Sequence, residues 1–538
     1  MEQHKDWPGW PDDAAALYRS AGHWEGMTFG ERLHRWETEF ATRTALVDGE
    51  RRWTYAELAA DARRLSTGLT KLGLRRGDRV IVQLPNSAEF VLIWFALVRL
   101  GVVPVHAMPA HRRSEITHLA RLAEAAGYIV ADQHARFDYR ELAAQVRAET
   151  GVRHVIVVGD AGEHEGFATL DDLLATPAGP DPEDLPRASD LALLLLSGGT
   201  TGMPKLVPRT HDDYAYNARR AAEICELTED SVYLAVLPIA FNYTMACPGI
   251  LGIFQAGGTV VIAPLPGAQT AFELIERERV TIAAINPPLV PHWLAEYEYG
   301  EADLSSLRVL QVGSARLADD LAAAVTKTLD CRLQQVFGMA EGLLCLTRLD
   351  DPDDLVHTTQ GSPISADDEL RVVDADGIEV GFGETGELLT RGPYTLRGYY
   401  RAAEQNARGF TADGFYRTGD LVKLLPSGHV NVVGRAKDQI NRGGQKIDAT
   451  EVEGHLLAYP GVVAAALLPE PDSLLGERSV AFLICSGEPP KTAALQAFFR
   501  TREVAAYKVP DRLQIVEHMP STAVGKVDKK ALASQYIN

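Results

Sequence analysis

LALLLLSGGTTGMPK, Leu191 to Lys205, is the stretch on which the reading of this chain turns. The uninterrupted apolar run Leu191 to Leu196 has strand length and suits a strand buried on both faces. It ends directly in a loop of Gly, Ser and Thr. Glycine lets backbone N–H groups approach an anion without a Cβ in the way, the hydroxyls add donors, and Lys205 supplies a cation. By composition, Ser197 to Lys205 is therefore a phosphate loop, with an ordinary glycine-rich turn as the plain alternative. It is not a Walker A loop, because Pro204 rather than Gly precedes Lys205 and Leu206 rather than Ser or Thr follows.

Outward from this loop, further apolar runs of strand length end at Gly, Pro or Ser: Arg79 to Leu84, Thr259 to Pro264 and Leu307 to Val312. Longer amphipathic stretches separate them, and that alternation predicts an α/β fold with layered sheets and helices. No internal period indicates a repeat architecture. Thr176 to Ser189, rich in Pro, Asp and Gly, reads as a surface connection. Past the glycines around Gly443 the texture becomes a compact strand and helix series, including Val462 to Leu468, Val480 to Cys485 and Lys491 to Val504. We expect a boundary near Lys437, giving a large domain over 1–436 and a small α+β lobe of about a hundred residues over 437–538.

Composition bounds the chemistry. The chain has 538 residues, 46% hydrophobic and 23% charged, with 46 Gly and 29 Pro, which excludes disorder, collagen and coiled coil. With 53 Lys plus Arg against 73 Asp plus Glu the net charge is -20, so nucleic acid and anionic membrane are repelled as partners. The Cys residues at 225, 247, 331, 345 and 485 show neither CxxC nor Cys/His spacing, which argues against a zinc site or a disulfide framework. The polar start MEQHKDWPGW carries no apolar leader, and Val91 to Val105, the longest apolar stretch, contains Arg99 and is too short to span a bilayer. The expectation is a cytoplasmic protein.

SGGTTGMPK resembles the loop signature of the adenylate-forming enzymes, and further pieces stand in that family's order. These are VFGMAEG (Val336 to Gly342), GELLTRGPYTLRGYY (Gly386 to Tyr400), YRTGD (Tyr416 to Asp420), GRAKDQINRGGQKI (Gly434 to Ile447) and STAVGKVDKK (Ser521 to Lys530). The resemblance implies a large N-terminal adenylate-forming domain, a small mobile C-terminal domain, and activation of a carboxylate with ATP and Mg2+. In that pattern Ser197, Gly198, Gly199, Thr200, Thr201, Gly202 and Lys205 line the phosphates, and Gly338, Met339 and Ala340 line the nucleotide. Glu341 would be the magnesium ligand; a hard cation that keeps several waters needs only one or two carboxylates plus phosphate oxygens. Asp420 would take both ribose hydroxyls, assisted by Arg435. Lys526 would bridge the substrate carboxylate and the α-phosphate as charge shifts between them. Since it sits on the small lobe it must be carried in and out, with Lys437 at the hinge position and Gly443 and Gly444 lining a thiol path after rotation.

The acid is addressed by PIAFNYTMACPG, Pro238 to Gly249. Similar enzymes that activate amino acids place an Asp after the aromatic here, whereas this chain has Asn242. A neutral amide hydrogen-bonds a hydroxyl but leaves a buried ammonium unpaired, which disfavours amino acids. The whole chain most resembles the stand-alone aryl acid ligases that activate 2,3-dihydroxybenzoate or salicylate for siderophores. In that pattern Asn242 meets the ortho hydroxyl, Tyr243 covers the ring and Val336 walls the pocket, with Gly313 and Gly342 beside it. Cys247 and Leu344 stand where dihydroxybenzoate enzymes tend to have Ser and Val, which favours salicylate. Phe241, Ser314 and Cys345 depart from the subgroup, so a methylsalicylate, hydroxypicolinate or aminobenzoate stays open. Lys530 lies close to the end of the sequence, leading us to expect a separate aryl carrier protein with phosphopantetheine as acceptor. Coenzyme A, as in an aryl-CoA ligase, and a non-catalytic nucleotide or aryl-acid sensor are the rivals.

Overall fold

The computed structural model describes residues 6–537 except 181, 198–203, 436–437, 443–444, 473–474, 503, 505 and 523–524. Two large sheets dominate. One orders its strands Ser362–Pro363, Leu344–Leu346, Arg332–Gly338, Val309–Gly313, Ile282–Ile285, Val232–Ala235, Thr259–Ile262, Thr44–Asp48 and Arg51–Thr54. Its central neighbours are parallel and its edges antiparallel. The other runs Leu206–Thr210, Leu191–Leu196, Val103–His106, Arg79–Gln83, Gly127–Ala131, His154–Val158 and Phe167–Thr169, parallel except for its first pair.

The apolar strands expected from the sequence are these strands, and their alternation explains the layers. Leu193 and Leu195 enter a core shared with Leu46, Val260 and Ile282 of the other sheet, while Leu194 faces a separate outer core with Val105 and Tyr128. Helices fill the space between the sheets and cover both outer faces, giving helix, sheet, helix, sheet, helix. Ala88–Leu100 in the middle layer is buried on nearly every side, as an all-round apolar helix must be outside a membrane. The stretch Val91 to Val105 is thus two elements: this helix, capped by Gly101 in the left-handed conformation (φ 70°), and the strand Val103–His106. Beside it, Tyr55–Leu72 starts on a capping box in which Thr54 and Glu57 each accept from the other's backbone N–H. Among the described residues no helix is long and apolar enough to cross a membrane.

A four-stranded antiparallel sheet follows, Glu369–Val373, Thr385–Arg391, Tyr416–Leu424 and Val430–Arg435. The chain ends in a five-stranded sheet with cores on both faces, built on Ile440, Val452 and Phe499 on one side and on Val480, Phe482 and Leu532 on the other. The molecule is therefore α/β, with a large N-terminal domain and a smaller C-terminal one. Arg502 donates to Asp320 at 2.7 Å across the two.

Gly361, at φ +80°, leads into the edge strand Ser362–Pro363, and a Cβ there would lie 1.9 Å from the Leu346 carbonyl carbon. Gly428 has the same φ with open space around it. Gly428→Ala should cost about 1–2 kcal/mol from the left-handed backbone alone. Gly361→Ala should cost roughly 3 kcal/mol or more, because backbone must move. Urea unfolding of both variants followed by tryptophan fluorescence checks this; equal losses would remove the close approach as the cause.

Candidate active site

The loop Ser197 to Lys205 is closed at its base by the hairpin that carries it. Leu196 pairs with Leu206, the Ser197 N–H donates to the Lys205 carbonyl at 3.0 Å, and the Lys205 N–H donates to Ser197 Oγ at 3.1 Å. Gly198, Gly199, Thr200, Thr201 and Gly202 lie outside the described residues. Lys205 Nζ sits 3.8 Å from the ring centroid of Tyr399. Burial holds its pKa below the ordinary lysine value, against the opposing pull of the Glu341 charge.

Tyr399 arrives there because the next residue docks on the hairpin: the Tyr400 N–H donates to the Leu206 carbonyl at 3.0 Å. The Tyr399 hydroxyl donates to Glu341 Oε1 at 2.8 Å and accepts from the Tyr416 hydroxyl at 2.8 Å. Burial, then the Glu341 charge, pushes both phenols above their usual range, so each keeps the proton it donates. Glu341, 8% exposed, is also fixed through its backbone, its carbonyl accepting from the Leu396 N–H at 2.8 Å. Next to it, the Ala340 carbonyl accepts from Arg209 Nη1 at 3.1 Å, and Arg209 Nε donates to Asp213 at 2.6 Å in a pair with side chains 1% and 3% exposed. Gly338, Met339 and Gly342 complete this turn, the Met339 N–H donating to the Leu343 carbonyl at 3.1 Å.

Asp420 and Arg435 face each other across paired strands, and Arg435 Nε donates to Asp420 Oδ1 at 2.8 Å. Asp420 is 5% exposed and shares its strand with Tyr416. Lys437, Gly443 and Gly444 lie outside the described residues. Lys526 ends a tight loop in which the Thr522 N–H donates to the Lys526 carbonyl at 2.6 Å and the Lys526 N–H donates to Thr522 Oγ1 at 3.2 Å. This loop of the small domain seats on the large one, because a Cβ on Gly525 would lie 3.0 Å from Asn286 Nδ2. Asn286 follows the strand Ile282–Ile285, and its Oδ1 is buried with no partner among the described residues.

The residues expected to hold the acid gather at the carboxyl ends of the parallel strands of the nine-stranded sheet, where open α/β sheets bind ligands. Tyr243, Cys247, Val336 and Leu344 share one core. A Cβ on Gly313 would lie 2.8 Å from Val336 Cβ and 3.0 Å from Tyr243 Cζ, so no side chain intervenes there. The Phe241 ring meets Tyr243 edge-on, centroids 6.4 Å apart. Asn242, 7% exposed, accepts from the Tyr214 hydroxyl at Oδ1 (2.9 Å) and donates from Nδ2 to Cys247 Sγ (3.6 Å). Ser314, at φ 70°, and Tyr243 carry buried hydroxyls with no partner among the described residues. Cys345 is separated from this group. Successive strand residues face opposite ways, so Leu344 joins Val336 while Cys345 packs with Leu343, Val372, Leu388 and Val430 beneath the four-stranded sheet.

The site therefore combines a phosphate loop by composition, a lysine, a buried carboxylate, a carboxylate–arginine pair and an apolar cluster beside buried hydroxyls that have no partner among the described residues. The family model described as AMP-binding enzyme matches residues 33–400, and the AMP-binding enzyme C-terminal domain matches residues 451–526. This chain belongs to the AMP-binding enzyme family. It is an adenylate-forming ligase, and ATP is its nucleotide. The 2,3-dihydroxybenzoate-AMP ligase of Bacillus subtilis (strain 168) is 53% identical over 530 residues, covering 98% of this chain and 97% of its own. Pyochelin synthase PchD of Pseudomonas aeruginosa (strain UCBPP-PA14) is 49% identical over 528 residues, covering 98% and 96%. The apo structure of Mycobacterium smegmatis MbtA superposes with a TM-score of 0.77 at 45% identity, covering 98% of this chain and 99% of that one. The resemblance read from the motifs and the expected fold class both hold.

In this AMP-binding enzyme a magnesium ion fits the donor set. Among the described residues no cluster of three or more His, Cys, Asp or Glu could cage a metal, while Glu341 offers one buried carboxylate close enough to Lys205 for its charge to act there. That suits a hard cation completed by phosphate oxygens and water. Tyr399, Tyr416, Tyr214, Arg209 and Asn286 stand at the site without having been singled out from the sequence. The tyrosines lie inside RGYY, YRTGD and the segment HDDY at His211 to Tyr214, but only contact with distant partners marks them as part of the site.

Leu344 is tied to a buried acid. The Leu344 N–H donates to the Tyr394 hydroxyl at 3.2 Å, and that hydroxyl donates to Asp368 Oδ2 at 2.6 Å. Burial raises Asp368 from 3.8 to about 7. A raised folded-state pKa contributes stability that is complete below the unfolded value and is lost as pH rises through the folded one. The enzyme should therefore lose stability between about pH 4 and about pH 7 through this group, and Asp368→Asn should flatten that part of the profile. Thermal unfolding of both proteins at pH 5 and pH 8 measures it: the variant should gain on the parent at the higher pH, and a constant difference would exclude Asp368 as the titrating group.

Proposed function

We propose that this enzyme condenses an aryl carboxylic acid, salicylate or a close analogue, with ATP to the aryl adenylate. It then passes the aryl group to the phosphopantetheine thiol of a separate aryl carrier protein, for a siderophore or an aryl-capped nonribosomal peptide. Asn242 is the observation that carries the reading. A buried neutral amide stands where an amino acid substrate needs a negative charge, and it suits an oxygen substituent on an aryl ring. The 2,3-dihydroxybenzoate-AMP ligase among its relatives supports the same substrate class.

The roles follow from charge. A substrate carboxylate oxygen attacks the α-phosphorus and pyrophosphate leaves, so negative charge must be neutralised on both sides of the reacting centre. Lys526 takes the side between carboxylate and α-phosphate, and Lys205 with the Ser197 to Gly202 loop takes the leaving pyrophosphate. Glu341, aimed by the Tyr399 hydroxyl, would hold Mg2+, whose charge offsets that of the phosphates. Asp420, oriented by Arg435, holds the ribose. We place the hinge at Lys437, between a domain over 1–436 and a lid over 437–538. Rotation there withdraws Lys526 and brings Gly443 and Gly444 to the thiol path. Coenzyme A is the rival acceptor.

Aryl-acid-dependent exchange of labelled pyrophosphate into ATP tests the substrate. Salicylate should lead and 2,3-dihydroxybenzoate should trail by about tenfold or more, since the Cys247 thiol is a poor partner for a third-carbon hydroxyl and Leu344 takes its space. Dihydroxybenzoate in the lead would remove those two residues as the determinants, and phenylalanine in the lead would end the aryl reading. Lys526→Ala should lower adenylate formation by at least about a hundredfold. It should spare thioester formation from supplied aryl adenylate, and equal loss of both steps would refute the division of labour.

A further inference from the structure

Asn242 has two chemically opposite ends, an oxygen that accepts and an NH2 that donates, and what holds one end decides which faces a ligand. Tyr214, on the helix His211–Ile224, holds it. The Tyr214 side chain is 0% exposed, with the Arg209 guanidinium 4.9 Å from its ring centroid and Phe29 edge-on at 6.2 Å. Its hydroxyl has one partner among the described residues, Asn242 Oδ1 at 2.9 Å. Burial keeps that phenol protonated well past neutral pH. A buried proton without an acceptor is costly, so the hydroxyl donates and the amide oxygen must turn toward it.

The amide NH2 then points the other way. There it meets Cys247 Sγ at 3.6 Å, a weak acceptor, while the Cys247 thiol directs its own proton at the Asn242 backbone carbonyl at 3.6 Å. Burial pushes this thiol up to about 12, against the Arg209 charge and a hydrogen bond with Asn217, so it stays protonated and its sulfur serves as the acceptor for the Asn242 amide. The order is Tyr214 O–H to Asn242 oxygen, Asn242 N–H outward, Cys247 S–H to backbone. Every proton has one direction, and one N–H of the amide remains for a ligand.

Resting on the aryl-acid reading above, we infer that Tyr214 is a positioning residue that locks the Asn242 amide donor-outward, so that the pocket selects acids with an acceptor atom ortho to the carboxylate and rejects those presenting N–H there. Salicylate satisfies this. Its phenolic proton is held by its own carboxylate, and the oxygen lone pair faces outward. Anthranilate does not, because its amine spends one N–H on the carboxylate and turns the other outward, donor against donor. The rule admits dihydroxybenzoates, methylsalicylates and 3-hydroxypicolinate alike, and so separates aminobenzoates from the other analogues left open by the sequence.

Tyr214→Phe keeps the ring and its packing but frees the amide to turn over. In pyrophosphate exchange, the salicylate to anthranilate ratio of kcat/KM should fall about tenfold, the size of one buried hydrogen bond, with benzoate, which has no ortho group, losing less than salicylate. An unmoved ratio, or an equal loss with all three acids, overturns the inference. Asn242→Asp, which presents acceptors whichever way it turns, should favour anthranilate, and adding Tyr214→Phe to it should shift the ratio no further. Continued rejection of anthranilate by Asn242→Asp, or a further shift in the double variant, also overturns it. The two levels separate cleanly: a parent enzyme inert toward every aryl acid fails the aryl-acid reading and this inference with it, whereas an active parent with an unmoved ratio fails only the role of Tyr214.

Discussion

The site hangs on one chain of buried hydroxyls: Tyr416 donates to Tyr399, and Tyr399 donates to Glu341. The three residues come from three segments, and Lys205, beside the hairpin of Leu191–Leu196 and Leu206–Thr210, closes the group through the Tyr399 ring. A buried carboxylate needs donors, a buried phenol needs an acceptor, and a half-buried ammonium needs a source of negative potential. Each of these needs is met by the next residue, so no member can be withdrawn without leaving another unsatisfied. The same seam fixes geometry, because the backbone bond from Tyr400 to Leu206 sets how far Tyr399 reaches over Lys205.

The large sheets make that seam rigid. Their parallel strands are buried on both faces and bring their carboxyl ends to one rim, where Gly313, Val336, Gly338 and Asn286 lie. The central helix Ala88–Leu100, apolar all round, locks one sheet to the other. Tyr243, Cys247, Val336 and Leu344 thus belong to a close-packed core, beside which the Ser314 and Tyr243 hydroxyls are buried with no partner among the described residues. Among the described residues the small domain meets the large one at several places, including the Gly525 loop beside Asn286, Arg502 on Asp320 and Asp448 beside Gly434.

Apolar pattern and punctuation alone determined much of this. The strands Arg79–Gln83, Leu191–Leu196, Thr259–Ile262 and Val309–Gly313, the helix Thr492–Thr501, the layered α/β class and the ordered motifs are all visible in sequence, because burial on both faces and sharp turns leave local signatures. Lys205, Glu341, Asp420, Arg435 and Lys526 could be named from motifs for the same reason: each is set in a short run of residues.

Only the tertiary structure decided which groups act together. Tyr399 and Glu341 are 58 residues apart, and nothing local to either records the other. The direction of the Asn242 amide depends on a phenol of the helix His211–Ile224. Leu344 and Cys345 are adjacent in sequence but enter different cores, because strand register sends alternate side chains to opposite faces. Local sequence thus specified the elements and their chemistry, while the long-range pairing of buried donors with buried acceptors specified the site.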